Sequence, residues 1–270
     1  MRAYRVSVVE RDEDLVTAEL YAAGTDGIEV GPTRDDRVSL LAYFPDDVDL
    51  AALRERLATA TVEPVAIPQV DWVARFRESF RAFRVGGFVV APPWDRPPEG
   101  GQLLLVDPGR AFGTGTHETT RLCLRALEDL ARRRRPGRVI DVGAGTGILG
   151  IAAALLGAHL VVATDNDPEA TAAARAHACL NGVELRLVRG DGPRPFVPEA
   201  FDLVLANLTA PLLVAHAHGL AQLRSPGGTL VLSGLLEADI AEVQVAYAGS
   251  GAPEVRRDGE WAALVYGGAG

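Results

Sequence analysis

The chain has 270 residues, 48% hydrophobic and 23% charged, a balance that excludes a disordered tail, a collagen and a disulfide-stapled miniprotein. All 27 basic residues are arginine, and against 36 acids they leave a net charge of −9. Such a chain is poorly suited to gripping nucleic-acid phosphates by charge alone, so no direct nucleic-acid binding is expected.

Residues 1–68 hold 7 arginines against 14 acids, a local charge of −7, and a basic partner is expected to meet the chain there. Cys123 and Cys179 lie far apart with no CxxC spacing, the pattern of packed thiols in a reducing compartment. The first residues form no basic, apolar, cleavable segment, so the expected location is cytoplasmic. Residues 147–164 are apolar enough to suggest a membrane span. His159 interrupts them and a glycine-rich turn precedes them, so they read as a buried helix followed by a buried strand. No membrane association is expected.

In chain order, the front segment predicts a strand over 4–9 and a helix over 13–23 with Leu15 and Leu20 inward. Strands follow over 28–30 and 37–44, then a helix over 50–57 behind Asp46 and Asp47, whose charges suit a helix N-terminus. A strand over 62–67, interrupted by Pro64, is expected at a sheet edge. This βαββαβ order is that of a ferredoxin-like α+β sandwich. Residues 71–83 predict a connecting helix whose aromatic stripe, Trp72, Phe76, Phe80 and Phe83, packs against a domain or faces the substrate. A Pro/Gly-rich loop follows over 92–101. The expected domains are 1–68, a connector over 69–101, and 102–270.

From residue 103 strands and helices alternate, the pattern of a parallel α/β sheet. The expected strands are 138–142, 160–164, 184–188, 203–206, 229–233, 255–257 and 262–266. Helices are expected over 118–134, 148–156, 168–181, 210–223 and 238–248. The arginine run 132–135 falls at a helix C-terminus, where cations complement the dipole.

The motif Asp141-Val-Gly143-Ala-Gly145-Thr-Gly147 follows a strand and opens a helix. Its alternate glycines let a tight backbone turn approach a ligand. A dinucleotide fingerprint would place its third glycine at position 148, where Ile148 stands. Asp165 ends the next strand, where a carboxylate can accept bonds from both hydroxyls of a ribose. Asp191 follows the third strand, Asn207 ends the fourth, and Ser225-Pro-Gly-Gly228 forms a turn before the fifth. In an open parallel sheet these positions share the ligand-binding edge.

The combination resembles a class I S-adenosylmethionine-dependent methyltransferase, a Rossmann-like, doubly wound seven-stranded fold. A second stretch, residues 107–121, carries Gly113, Gly115 and the hydroxyls of Thr116, Thr119 and Thr120. With Ala206-Asn-Leu208 and Gly259-Glu-Trp261 it is similar to the family that methylates the eleventh protein of the large ribosomal subunit. The front domain is similar to that family's substrate-recognition module.

The resemblance implies S-adenosylmethionine as cofactor and a basic ribosomal protein of the large subunit as substrate, with methyl groups expected on lysine and N-terminal amines. It implies cofactor contacts at Thr120, Gly143, Gly145, Asp165 and Asn207. Asn207 is also the expected catalytic residue, orienting the acceptor amine or the cofactor's methionine end. No metal and no covalent intermediate are expected, and the chain is expected to act as a monomer. His117 reads as a proton acceptor or as a structural residue. His216 and His218, two apart on a helix, point to different faces. Glu260 and Trp261 read as a substrate entrance or, for Trp261, a core anchor. Alternatives are lysine methylation of a flavoprotein subunit, a nicotinamide-dependent oxidoreductase, and an RNA-binding ferredoxin-like module.

Overall fold

Alternating apolar residues in the front segment leave its strands one face to bury. In the computed structural model, which describes residues 2–31, 33, 36–45, 48–66, 80–95, 99–107 and 114–267, they bury it against two helices. The chain forms two compact units, Met1–Asp71 and Trp72–Gly270. In the first, β1 (Arg2–Val9), α1 (Glu13–Ala22), β2 (Gly27–Val30), β3 (Arg37–Phe44), α2 (Leu50–Arg56) and β4 (Thr61–Val65) follow in order. The antiparallel sheet runs β2-β3-β1-β4, the ferredoxin-like arrangement.

Tyr4, Val6 and Val8 of β1 and Val38, Leu40, Ala42 and Phe44 of β3 point to one core. Fully burying each large one contributes about 1.5–3 kcal/mol. Pro64 sits on the edge strand β4, where its missing N–H breaks no central ladder. Asp49 caps α2 by accepting from the Ala51 N–H at 2.8 Å. Asp46 and Asp47 lie outside the described residues. Leu15 corrects the sequence reading, for it is 60% exposed. The inward stripe of α1 runs through Val16 and Leu20, four apart, and Leu15, one position off that stripe, turns to solvent.

Trp72 and Phe76, with most of the expected connecting helix, fall outside the described residues. Within them, Phe80 is buried and meets Phe83 edge-on. Phe83 belongs to a strand rather than a helix. β5 (Phe83–Val85), β6 (Phe88–Ala91) and β7 (Gln102–Leu105) make a separate three-stranded sheet, antiparallel then parallel. The Glu128 carboxylate anchors its hairpin by accepting from the Gly87 N–H at 2.9 Å.

The second unit continues with α3 (Glu118–Arg133), β8 (Arg138–Val142), α4 (Ile148–Leu155), β9 (Leu160–Asp165), α5 (Pro168–Leu180), β10 (Arg186–Arg189) and β11 (Phe201–Asn207). Then come α6 (Ala210–Ala215), α7 (Ala217–Leu223), β12 (Arg224–Leu236), α8 (Ile240–Ala246), β13 (Glu254–Asp258) and β14 (Trp261–Tyr266). The seven strands are ordered β10-β9-β8-β11-β12-β14-β13. One apolar cluster unites the sheet with α3 and α4, and another unites it with α6, α7 and α8. The sheet is thus wound on both faces.

Several expectations are corrected here. The sheet is mixed rather than wholly parallel, because β13 and β14 form a hairpin that places β14 antiparallel to β12. A two-residue connection leaves no length for a parallel crossover. The expected helix 210–223 breaks at His216 into α6 and α7, and the helix expected from 238 begins as a 3-10 turn before α8. The Ser225–Gly228 segment lies within β12 as an irregularity in its pairing with β11. Residues 147–164 form α4 and β9, as their composition suggests. Among the described residues no helix is long and apolar enough to cross a membrane.

Candidate functional site

The strand order reverses beside β8, which pairs with β9 on one side and β11 on the other. A crevice opens at such a reversal, outside the carboxyl ends of the strands. Here it is a cavity of about 440 Å³, walled by residues that follow β8, β9, β10 and β11 and by His117, Gly234 and Trp261.

The glycine loop crosses its floor. Gly143 and Ala144 both donate to the Thr164 carbonyl, at 2.9 and 3.0 Å, which lashes the loop over the end of β9. Gly143 adopts φ +73° and an added Cβ would collide with the Leu208 side chain, so only glycine suits both the backbone and the space. Beneath the loop Asp141 is 1% exposed and accepts from the Gly150 N–H at 3.0 Å, bracing the first turn of α4. Burial pushes its carboxyl up to about 7, helped by the negative charge of Asp165 and opposed by the Gly150 hydrogen bond.

Asp165, at the tip of β9, accepts from the Gly145 N–H through Oδ2 at 2.9 Å and from the Asp167 N–H through Oδ1 at 3.0 Å. Each carboxylate oxygen has a second lone pair to offer a ligand hydroxyl. The loop and the carboxylate are therefore one rigid piece facing the cavity.

Asn207 ends β11 on the opposite wall. Its Nδ2 donates to Thr120 Oγ1 at 3.4 Å, which leaves Oδ1 as the atom it can present to an amine. Thr120 itself is fully buried in the first turn of α3. It meets the cavity through Asn207, whereas its neighbour Thr119 lines the wall.

His117 caps α3. Its Nδ1 accepts from the Thr119 N–H at 3.3 Å and lies 2.8 Å from Thr119 Oγ1. Its ring packs edge-on to Trp261 with centroids 4.7 Å apart. The geometry favours the structural reading of His117, and it puts Trp261 on the cavity wall. Arg121 holds this corner together, bonding Glu118 and Asp258 at 3.0 Å each. The Arg121 hydrogen bond is the main reason the Asp258 carboxyl titrates below its ordinary range.

Asp191 and His216 close the far end, His216 Nε2 lying 3.9 Å from Asp191 Oδ1. An added Cβ on Gly192 would sit 2.8 Å from the His216 ring. His216 therefore lines the cavity while His218 lies elsewhere. Among the described residues no three His, Cys, Asp or Glu side chains gather as metal ligands do. Cys123 is fully buried and its thiol is raised to about 12 by burial, so it is no nucleophile. Cys179, expected to be packed, is instead exposed, because it lies beside the buried stripe of α5 through Ala174, His177 and Ala178. Gly192, Leu212 and Gly234 also line the cavity, without belonging to any motif read in the sequence. Gly113 lies outside the described residues.

The family model described as ribosomal protein L11 methyltransferase (PrmA) matches residues 5–267. The chain belongs to that family. A ribosomal protein L11 methyltransferase of Geobacter sulfurreducens is 43% identical over 89% of this chain and 84% of its own. One of Geobacter metallireducens is 40% identical over 92% and 86%. A crystal structure of the ribosomal protein L11 methylase of Lactobacillus delbrueckii subsp. bulgaricus superposes with a TM-score of 0.63 at 32% identity, covering 69% of this chain and 97% of that one. The enzyme is therefore a methyltransferase on a class I, Rossmann-like fold, and the family match gives no support to the nicotinamide or flavoprotein-subunit readings.

Proposed function

We propose that the cavity binds S-adenosylmethionine and that the enzyme methylates lysine and N-terminal amines of a basic ribosomal protein, ribosomal protein L11 being the one that the names of its relatives give. The observation that carries this reading is the Gly145–Asp165 hydrogen bond, which ties a glycine cradle and a ribose-accepting carboxylate to one cavity. The cavity's size and donor set fit the cofactor, which supplies, when bound, an activated methyl group on a sulfonium. Asp165 accepts from the ribose hydroxyls. The backbone of Gly143 and Gly145 leaves room for the methionine end.

Across the cavity Asn207 Oδ1 orients the acceptor amine. Leu208, Leu212 and Trp261 give the cavity its apolar wall. A lysine amine with an ordinary pKa near ~10.4 must lose its proton first, and an apolar wall favours its neutral form. Alignment of the reactants can then supply up to ~7–11 kcal/mol of the barrier reduction.

The front unit, at −7 over residues 1–68, recognises the basic substrate by charge. This assigns residues 1–68 to recognition and 102–270 to methyl transfer, in a monomer acting in the cytoplasm. Incubation with labelled S-adenosylmethionine and large-subunit ribosomal proteins, followed by mass spectrometry, tests the reading. Label is expected on lysine side chains and the N-terminus of one protein, and Asp165→Ala removes both cofactor binding and label. Label on no ribosomal protein, with the wild-type enzyme binding cofactor, overturns the substrate assignment.

A further inference from the structure

At the opposite edge of the same sheet, by the amino ends of β8 and β11, lies a second cavity of about 570 Å³. Strands of five residues at ~3.3 Å each put it roughly 16 Å from the glycine loop. Arg133, Arg134 and Arg135 line one side and Arg224 lines another, with Glu199 and Asp202 the acids among its walls. Asp202 is already engaged, for it accepts from the Arg138 backbone, the Arg138 guanidinium and the Ser225 hydroxyl.

The arginine run divides sharply. Arg132 pairs with Glu128 and Asp129 and faces away from the cavity wall. No acidic side chain among the described residues pairs with Arg134, Arg135 or Arg224. Arg224 is half-buried and comes from a strand some ninety residues further on. Arginines from two parts of the chain line this one concavity, in a protein whose net charge is −9. An anion seated among them would offset their like charge.

We propose that this cavity binds the phosphate groups of an anionic ligand. Guanidinium forks match phosphate oxygens two at a time, and the volume suits a ligand of nucleotide size. The site is separate from the methyl-transfer cavity and does not depend on its assignment.

The test is calorimetric titration of the full chain with inorganic triphosphate and, separately, with a short single-stranded RNA at low ionic strength. Binding of either probe is expected, with affinity falling at least tenfold in the double variant Arg134→Ser, Arg135→Ser. Both positions are exposed, so the variant keeps the wild-type melting temperature and its basal cofactor binding. Preference for triphosphate identifies a small polyphosphate ligand. Preference for RNA, with the same sensitivity to the substitutions, identifies a phosphodiester backbone. Binding of neither probe to wild type, or equal binding to the variant, overturns the proposal.

Discussion

The two rims of the seven-stranded sheet are made from opposite materials. The carboxyl rim presents glycine backbone, one carboxylate and one carboxamide, each held by a neighbour's N–H or hydroxyl. The amino rim presents guanidinium groups and the ion pair Arg138–Asp202 at 3.1 Å. At the first rim, polar groups are fixed in position at the expense of conformational freedom. At the second, charge serves stability, and among the described residues Arg134, Arg135 and Arg224 pair with no acidic side chain. The strands between them are the same, so the difference lies in what each connection carries.

The sharpest break of that comparison is Gly143→Ala. The positive φ alone costs about 1–3 kcal/mol, and the Cβ must displace Leu208 from the cavity wall. S-adenosylhomocysteine affinity should fall at least ~tenfold by calorimetry, with a lowered melting temperature. Unchanged affinity would show that the loop does not cradle the ligand.

At the amino rim, Asp202→Ala removes the acceptor of Arg138 and Ser225. Stability should fall by about 1–3 kcal/mol in urea denaturation, while cofactor affinity stays constant. The Arg138 hydrogen bond holds the Asp202 carboxyl down at about 2. Its contribution is therefore present above about pH 4 and lost as pH falls towards 2. A loss of cofactor affinity in this variant would mean that the rims are coupled.

Asp141 titrates in the reverse sense. Its folded pKa of about 7 lies above the ~3.9 of an unfolded chain, so between those values the folded state retains a proton the unfolded state has released. Its favourable contribution is complete below about pH 4 and disappears as pH rises through 7. Asp141→Asn keeps an acceptor for the Gly150 N–H and should flatten the fall in melting temperature between pH 5 and pH 8. An unaltered slope would assign the titration to another group.

The smallest expected effect belongs to Thr120→Val, which keeps the buried volume and removes the partner of Asn207 Nδ2. About 1 kcal/mol of lost orientation predicts a roughly fivefold lower kcat with cofactor affinity unchanged. A shift in cofactor affinity instead would place Thr120 at the cofactor rather than behind Asn207.

Much of this site is legible along the chain because it sits at strand ends. Gly143, Asp165 and Asn207 each close a largely apolar strand, and an apolar run ending in glycine or a polar residue marks a sheet edge without any knowledge of packing. Leu15 misleads because an apolar residue beside a helical stripe is indistinguishable in one dimension from one within it. The strands β5 and β7 are hidden because three or four residues carry too little periodicity to separate strand from helix. Gly192, Leu212 and Gly234 come from three separate connections, and only the packing of β10, α6 and β12 brings them to one wall.

Local sequence settles which segments become strands and helices, since a residue's apolar periodicity and its turn chemistry act over a few neighbours. It also settles that a glycine turn and an acid will stand at the ends of successive strands. Tertiary packing alone decides that Thr120 supports Asn207 from within α3, that His216 interrupts a helix to face the cavity, and that Arg224 joins a distant arginine run. Those relations depend on distances between segments far apart in the chain, and such distances exist only once the apolar faces have been buried together.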